Sequence, residues 1–251
     1  STMMFERDFG WKSYLVRTIY RLYGAQDLII TQTEKMASSL NANTGGKLEM
    51  LVQVLPNPIP YRLVESFDEV RGLGRTGVGP LQIVWCGRLS HVKSPHRAIK
   101  ALAYLRDNGE ADASLLFIGD GPLRHMLEAL VKECQLEDCV RFAGHLEDPT
   151  SAMTPNDVGL ITSDIEGFPN VILEMLASGV RSIASTNCAG GLEDVPGLTL
   201  SANSSPVALA EAIKEAQTNA GAPSLINKFI RDRHPGLLLR RILGVNSHAS
   251  R

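Results

Sequence analysis

From residue 81 onward, apolar positions follow two alternating rhythms. Short, nearly continuous apolar runs at 81–86, 114–118, 140–142, 157–161 and 182–185 read as buried strands. Between and after them, 95–108, 122–134, 170–178 and 206–218 place apolar residues at helical spacing, often behind a proline that suits a first helical turn. The stretch 192–195 fits either state. Alternation of this kind implies parallel strands joined by crossover helices, a Rossmann-like, doubly wound α/β sheet. Such sheets bind ligands beyond the carboxyl ends of their strands, so the chemistry is expected in the loops that follow them.

The first sixty residues have a different texture. Trp11, Tyr14, Leu15, Ile19 and Leu22 lie on one side of an expected helix over 11–23. Its basic residues suit a membrane surface, but packing against a domain core is the better reading. A strand over 27–33, a helix over 34–40 and a strand over 51–55 follow. Pro56, Pro58 and Pro60 then end regular structure, which marks a domain boundary. No internal repeat or low-complexity tract interrupts the 251 residues.

Composition narrows the function classes. A hydrophobic fraction of 44% supports a real core, and a net charge of −2 argues against an obligate nucleic-acid binder. No apolar run approaches the roughly 18 residues of a membrane span, and the mixed charge of the first residues does not resemble a leader. Cys134 and Cys139 form an isolated C-x4-C, poor evidence for zinc; Cys86 and Cys188 lie apart. Buried, reduced thiols in a cytoplasmic setting are the expectation. The string G-x-G-x-x-G at 72–77 precedes a strand instead of following one, so it reads as a flexible connection and not as a dinucleotide fingerprint. Gly119 and Gly121 do follow a strand, but Arg124 stands where the third glycine belongs.

The informative segment is E-G-F-P-N-V-I-L-E at 166–174. Pro169 suits a helical first turn, and Gly167 lets the backbone approach a ligand closely. The amides near Asn170 and Val171 can then hold an anion, worth about 0.3–1 kcal/mol from the helix dipole. Glu174, four residues after Asn170, lies on the same face about 6 Å further along the axis. Phosphate at the helix start, ribose at Glu174 and a sugar ring near Glu166 make a coherent nucleotide-sugar site. For a lone pair of glutamates, a solvated helix residue and a loop charge would be the simpler explanation. The segment 87–93, G-R-L-S-H-V-K, follows the first strand of the sheet and adds Arg88 and Lys93, which could neutralise a diphosphate. Basic and acidic loops at corresponding strand ends favour the joint reading.

These strings, together with I-G-D-G-P-L-R at 118–124 and V-R-F-A-G at 140–144, resemble in this order the retaining GT-B glycosyltransferases of family 4. The resemblance covers about residues 81–218. It implies the E-x7-E pair in Glu166 and Glu174, with Glu166 on donor-sugar hydroxyls and Glu174 on ribose. By the same likeness, Gly87, Arg88 and Lys93 serve the diphosphate, Gly144, His145 and Leu146 seat the base, and Gly167, Phe168, Pro169, Asn170 and Val171 complete the donor site. Catalysis would fall to Glu166, Arg88 and Lys93, with no metal and no cofactor.

The implied reaction moves a sugar, with retention, from a nucleoside-diphosphate donor (UDP favoured over GDP) to the hydroxyl of a saccharide or lipid-linked acceptor. The implied setting is polysaccharide or glycolipid assembly on the inner face of the cytoplasmic membrane, with a peripheral membrane contact and no nucleic-acid partner. Residues 1–60 resemble the tail of the acceptor-binding first domain, 61–220 the donor-binding domain, and 221–251 a helical tail. The chain is thus expected to be a piece that binds donor without transferring sugar. Departures from the family are Ser94 for glycine, Arg181 for proline, and a loosely matching C-A-G-G-L-E at 188–193. Two other readings are a non-catalytic nucleotide-sugar-binding subunit and a sugar-nucleotide epimerase, though no residue marks an epimerase base.

Overall fold

A computed structural model describes residues 28–46, 51–66 and 80–243. The expected helix over 11–23 and the glycine string at 72–77 lie outside the described residues. A six-stranded sheet holds β3 (Gln82–Cys86), β4 (Ser114–Ile118), β5 (Val140–Phe142), β6 (Val158–Ile161), β7 (Ser182–Ser185) and β8 (Leu198–Leu200). Its order is β5-β4-β3-β6-β7-β8, and every pairing is parallel. The order reverses direction between β3 and β6, which pair directly through Ile83 with Val158 and Val84 with Gly159. That junction is the crevice where doubly wound sheets receive ligands.

Period-two alternation along the strands builds two cores. On one face Ile83, Trp85, Leu115 and Phe117 pack with Ile99, Leu102 and Leu105 of α3 (His96–Asp107), Leu127 of α4 (Arg124–Glu133) and Ile213 of α6 (Pro206–Thr218). On the other, Val84, Leu116, Ile161 and Ile183 meet Ile172 and Leu176 of α5 (Val171–Ala177) and Ile226 and Ile230 of α7 (Pro223–Arg231). The expected tail therefore begins as part of the second core. The segment at and after the last two prolines also joins it, where Ile59 and Leu63 are buried and α2 spans Tyr61–Ser66. The last described helix, α8 (Pro235–Ile242), buries Leu238.

Several boundaries differ from expectation for identifiable reasons. The first strand, β1, is only Ile29–Thr31, because Thr33 leaves the strand to cap α1 (Glu34–Thr44), its hydroxyl accepting from Met36 N at 3.2 Å. That helix runs past residue 40 until Gly45 turns left-handed at φ 68°. Strand β2 (Val52–Val54) pairs parallel with β1. Helix α4 starts at Arg124, not 122, because the backbone before it is tied to the loop after β3: Leu89 N donates to Asp120 O at 3.0 Å and Leu123 N to Leu89 O at 3.1 Å. The sixth strand lies at Leu198–Leu200, while Leu192 and Val195 are buried in a turn closed by Val195 N on Leu192 O at 3.2 Å.

Candidate functional site

Because all six strands run parallel, the loops after β3, β4, β5 and β6 share one edge. Gly87, Gly119, Gly144 and Glu166 lie in those loops in turn. Their backbones are in close contact: Gly87 N donates to Ile118 O at 2.9 Å, and Gly119 N donates to Gly144 O at 2.7 Å. Gly119 holds φ 125°, and a Cβ there would stand 2.0 Å from Gly87 O. Only glycine fits such a conformation and approach. The packing brings the loop of Arg88 beside the loop of His145.

Those loops open into a cleft of roughly 460 Å³ lined by Gly87, Arg88, Asp120, His145, Leu146 and Glu174, among others. Arg88 and His145 are exposed; Gly87, Gly144, Leu146 and Glu174 are half-buried. Glu174 reaches the cleft from α5, so one of the two expected glutamates shares a wall with the expected base seat and with Arg88.

Glu166 stands apart from that cleft, against a different set of partners. Its carboxylate Oε1 accepts from Ser163 Oγ at 2.7 Å and forms an ion pair with Lys93 Nζ. Lys93 is thus paired with Glu166, where the sequence reading set it on a diphosphate beside Arg88. The cause lies in the loop after β6. Thr162, fully buried, accepts from Trp85 Nε1 at 2.8 Å and donates from Oγ1 to Lys93 O at 2.8 Å. Arg97 binds Thr162 O at 3.0 Å and Asp164 at 2.7 Å. Asp164 in turn accepts from Ser94 Oγ at 3.2 Å, and its amide donates to Val92 O at 2.9 Å. Ser94 adopts a left-handed conformation at φ 47°. Glycine would take that geometry freely; here a serine takes it, with Asp164 within reach of its hydroxyl.

Between the glutamates, Phe168 and Pro169 are buried, Asn170 is exposed and Gly167 and Val171 are half-buried. Helix α5 begins with Ile172 N on Pro169 O at 3.0 Å and Leu173 N on Asn170 O at 2.9 Å, so the amides of Asn170 and Val171 precede the first helical donors. The early segment of the chain reaches this turn: Asn57 donates to Asn170 Oδ1, and a Cβ on Gly167 would stand 2.3 Å from Gln32 Oε1. A second cleft of roughly 550 Å³ is lined by Phe168, Thr33, Lys35, Gly190, Asp194 and Arg233, among others. Burial pushes the Arg233 guanidinium down to about 10, and its Nε has no hydrogen-bond partner.

Sequence reasoning missed Thr162, Ser163, Asp164 and Arg97. The first three follow β6 directly, at the edge where ligands bind, and that position was their only sequence signal. The thiols of Cys134, Cys139 and Cys188 are free and pushed up by burial. Among the described residues no group of three or more His, Cys, Asp or Glu side chains could hold a metal ion, and no helix is long and apolar enough to cross a membrane.

Residues 80–219 match the family described as "Glycosyl transferases group 1". The 2-deoxystreptamine glucosyltransferase of Streptomyces kanamyceticus is 32% identical over 241 residues, covering 86% of this chain and 61% of the relative. A Campylobacter jejuni protein named GalNAc-alpha-(1->4)-GalNAc-alpha-(1->3)-diNAcBac-PP-undecaprenol alpha-1,4-N-acetyl-D-galactosaminyltransferase is 34% identical over 138 residues, 54% of this chain and 35% of that protein. The chain thus spans less than two thirds of these relatives' lengths. Among solved structures, Anabaena Alr3699/HepE in complex with UDP and glucose superposes with a TM-score of 0.71 at 19% identity, over 95% of this chain and 67% of that one.

Proposed function

From the premise that the chain belongs to the group 1 glycosyl transferases, we propose that its β3/β6 crevice binds a nucleoside-diphosphate sugar and serves transfer of that sugar to an acceptor hydroxyl. The observation that carries this reading is one cleft lined by Arg88, His145, Leu146 and Glu174, with Glu166 in the neighbouring β6 loop. Base against 144–146, ribose on Glu174, diphosphate on Arg88 and the amides of Asn170 and Val171, and sugar at Glu166 follow the order in which these groups occur around the edge. Arg88 provides a planar fork for the leaving diphosphate. Lys93 can add its charge only by exchanging Glu166 for phosphate, which frees that carboxylate as the sugar arrives. Charge placed in advance on the leaving group is the main chemical contribution these residues offer, without a metal.

Retention and a preference for UDP rest on the family likeness; the UDP named with the Anabaena structure supports the latter. A saccharide or lipid-linked acceptor is supported by the undecaprenol in the Campylobacter relative's name. In this proposal residues 61–220 form most of the donor unit, which α7 and Ile59 complete from either side, and the segment before the prolines is the end of an acceptor unit, with assembly at the inner membrane face. Glu174→Ala is expected to weaken nucleoside diphosphate and nucleotide sugar alike, and Glu166→Ala only the nucleotide sugar, each by about ten- to hundredfold. Calorimetry with both ligands checks this. Equal losses for both ligands in both variants would overturn the division of roles.

A further inference from the structure

We propose that Ser163 is a positioning residue for the sugar end of the donor: it holds one oxygen of Glu166 and so sets which oxygen is offered to the ligand. The inference rests on the donor-site reading above and adds a residue to it. Both side-chain donors to Glu166 among the described residues, Ser163 Oγ and Lys93 Nζ, reach the same oxygen, Oε1. A carboxylate has about four acceptor sites, two on each oxygen. Oε1 takes both donors in the free chain and keeps Ser163 once Lys93 leaves, so Oε2 is the less occupied edge on which a sugar hydroxyl can donate.

Ser163 can do this because its own position is fixed. It is 3% exposed, and its carbonyl accepts from the buried Thr186 Oγ1 at 2.7 Å. Three residues on, Glu166 N donates to Cys188 O at 2.8 Å, so both ends of the Ser163–Glu166 span are tied to the chain after β7. The two donors to Oε1 differ in kind. Lys93 sits on a flexible stem and is the cation a diphosphate would draw away, whereas the Ser163 hydroxyl is uncharged and short. When Lys93 turns to phosphate, Ser163 is the donor that keeps the carboxylate in its plane. A serine that merely satisfied a buried loop would affect folding, or affinity for every ligand equally. One that acts through Glu166 affects only the part of affinity that the sugar adds.

The readout is the ratio of dissociation constants, nucleoside diphosphate over nucleotide sugar, for the full chain. The probes are UDP with UDP-glucose and UDP-N-acetylglucosamine, and GDP with GDP-mannose. Ser163→Ala is expected to lower that ratio about five- to tenfold for the sugar that binds, with the diphosphate constant within about twofold. Ser163→Thr, which keeps the hydroxyl, restores it. In a Glu166→Ala background, which removes the acceptor, Ser163→Ala changes the ratio less than about twofold, because the two residues act as one unit. Should the threonine variant not fold, as judged by its thermal midpoint, this cycle decides alone. An unchanged ratio in Ser163→Ala, an equal loss for diphosphate and sugar donor, or a full effect persisting without the Glu166 carboxylate overturns the positioning role. An unaltered chain that binds no probe overturns the donor-site reading, and this role with it.

Discussion

Ser94 shows how one residue links local strain to the site. A left-handed backbone costs a non-glycine residue about 1–2 kcal/mol, and Ser94 takes it at φ 47° while buried. Its hydroxyl offsets the strain by donating between His91 O at 3.0 Å and Asp164 at 3.2 Å, which fixes the turn carrying Lys93. Alanine would keep the strain and lose the bond; glycine would lose both. Ser94→Ala is therefore expected to destabilise the chain by about 1.5 kcal/mol, and Ser94→Gly by about 1 kcal/mol less, in denaturant unfolding. A glycine variant less stable than the alanine variant would refute this account of the turn. The sequence marked Ser94 as a departure, but not its partner, because Asp164 lies seventy residues away and meets it only across the β3/β6 junction.

At the scale of elements, the loops after β3, β4 and β5 act as one piece. A Cβ at Gly121 would stand 2.5 Å from Leu89 O, and one at Gly119 still closer to Gly87 O. These are backbone atoms of the loop after β3 and cannot move aside without shifting Arg88. Gly119→Ala is expected to cost about 3 kcal/mol or more and to weaken nucleotide binding in whatever fraction still folds. Thermal unfolding and titration check both, and a near-neutral variant would show the loops to be independent. Strands 114–118, 140–142 and 182–185 were legible to the residue, because each is a short run with apolar residues bounded on both sides by polar, glycine or turn residues. β8 was not: Leu198–Leu200 has one neighbour strand and half-exposed leucines, a weaker pattern than the fully buried Leu192 nearby. Likewise, spacing placed Glu166 and Glu174 correctly about α5 but could not show that Lys93 pairs with Glu166, since that depends on Thr162 anchoring the Lys93 carbonyl.

For the whole molecule, surface and site carry separate expectations. Leu239 and Ile30, 55% and 47% exposed, line one groove, and Leu243, 64% exposed, caps the helix that carries Leu239. Exposed apolar surface favours association, so Leu239→Glu with Leu243→Glu is expected to reduce concentration-dependent association in sedimentation. Persistent association in that variant would place the contact elsewhere. The central claim concerns the crevice, and a calorimetric titration of the chain with UDP-glucose, UDP-N-acetylglucosamine and GDP-mannose, repeated with Arg88→Ala, tests it most directly. One-to-one binding of at least one of these, weakened about tenfold or more by Arg88→Ala, is the predicted result. No binding at millimolar concentrations, or binding indifferent to Arg88, would contradict it.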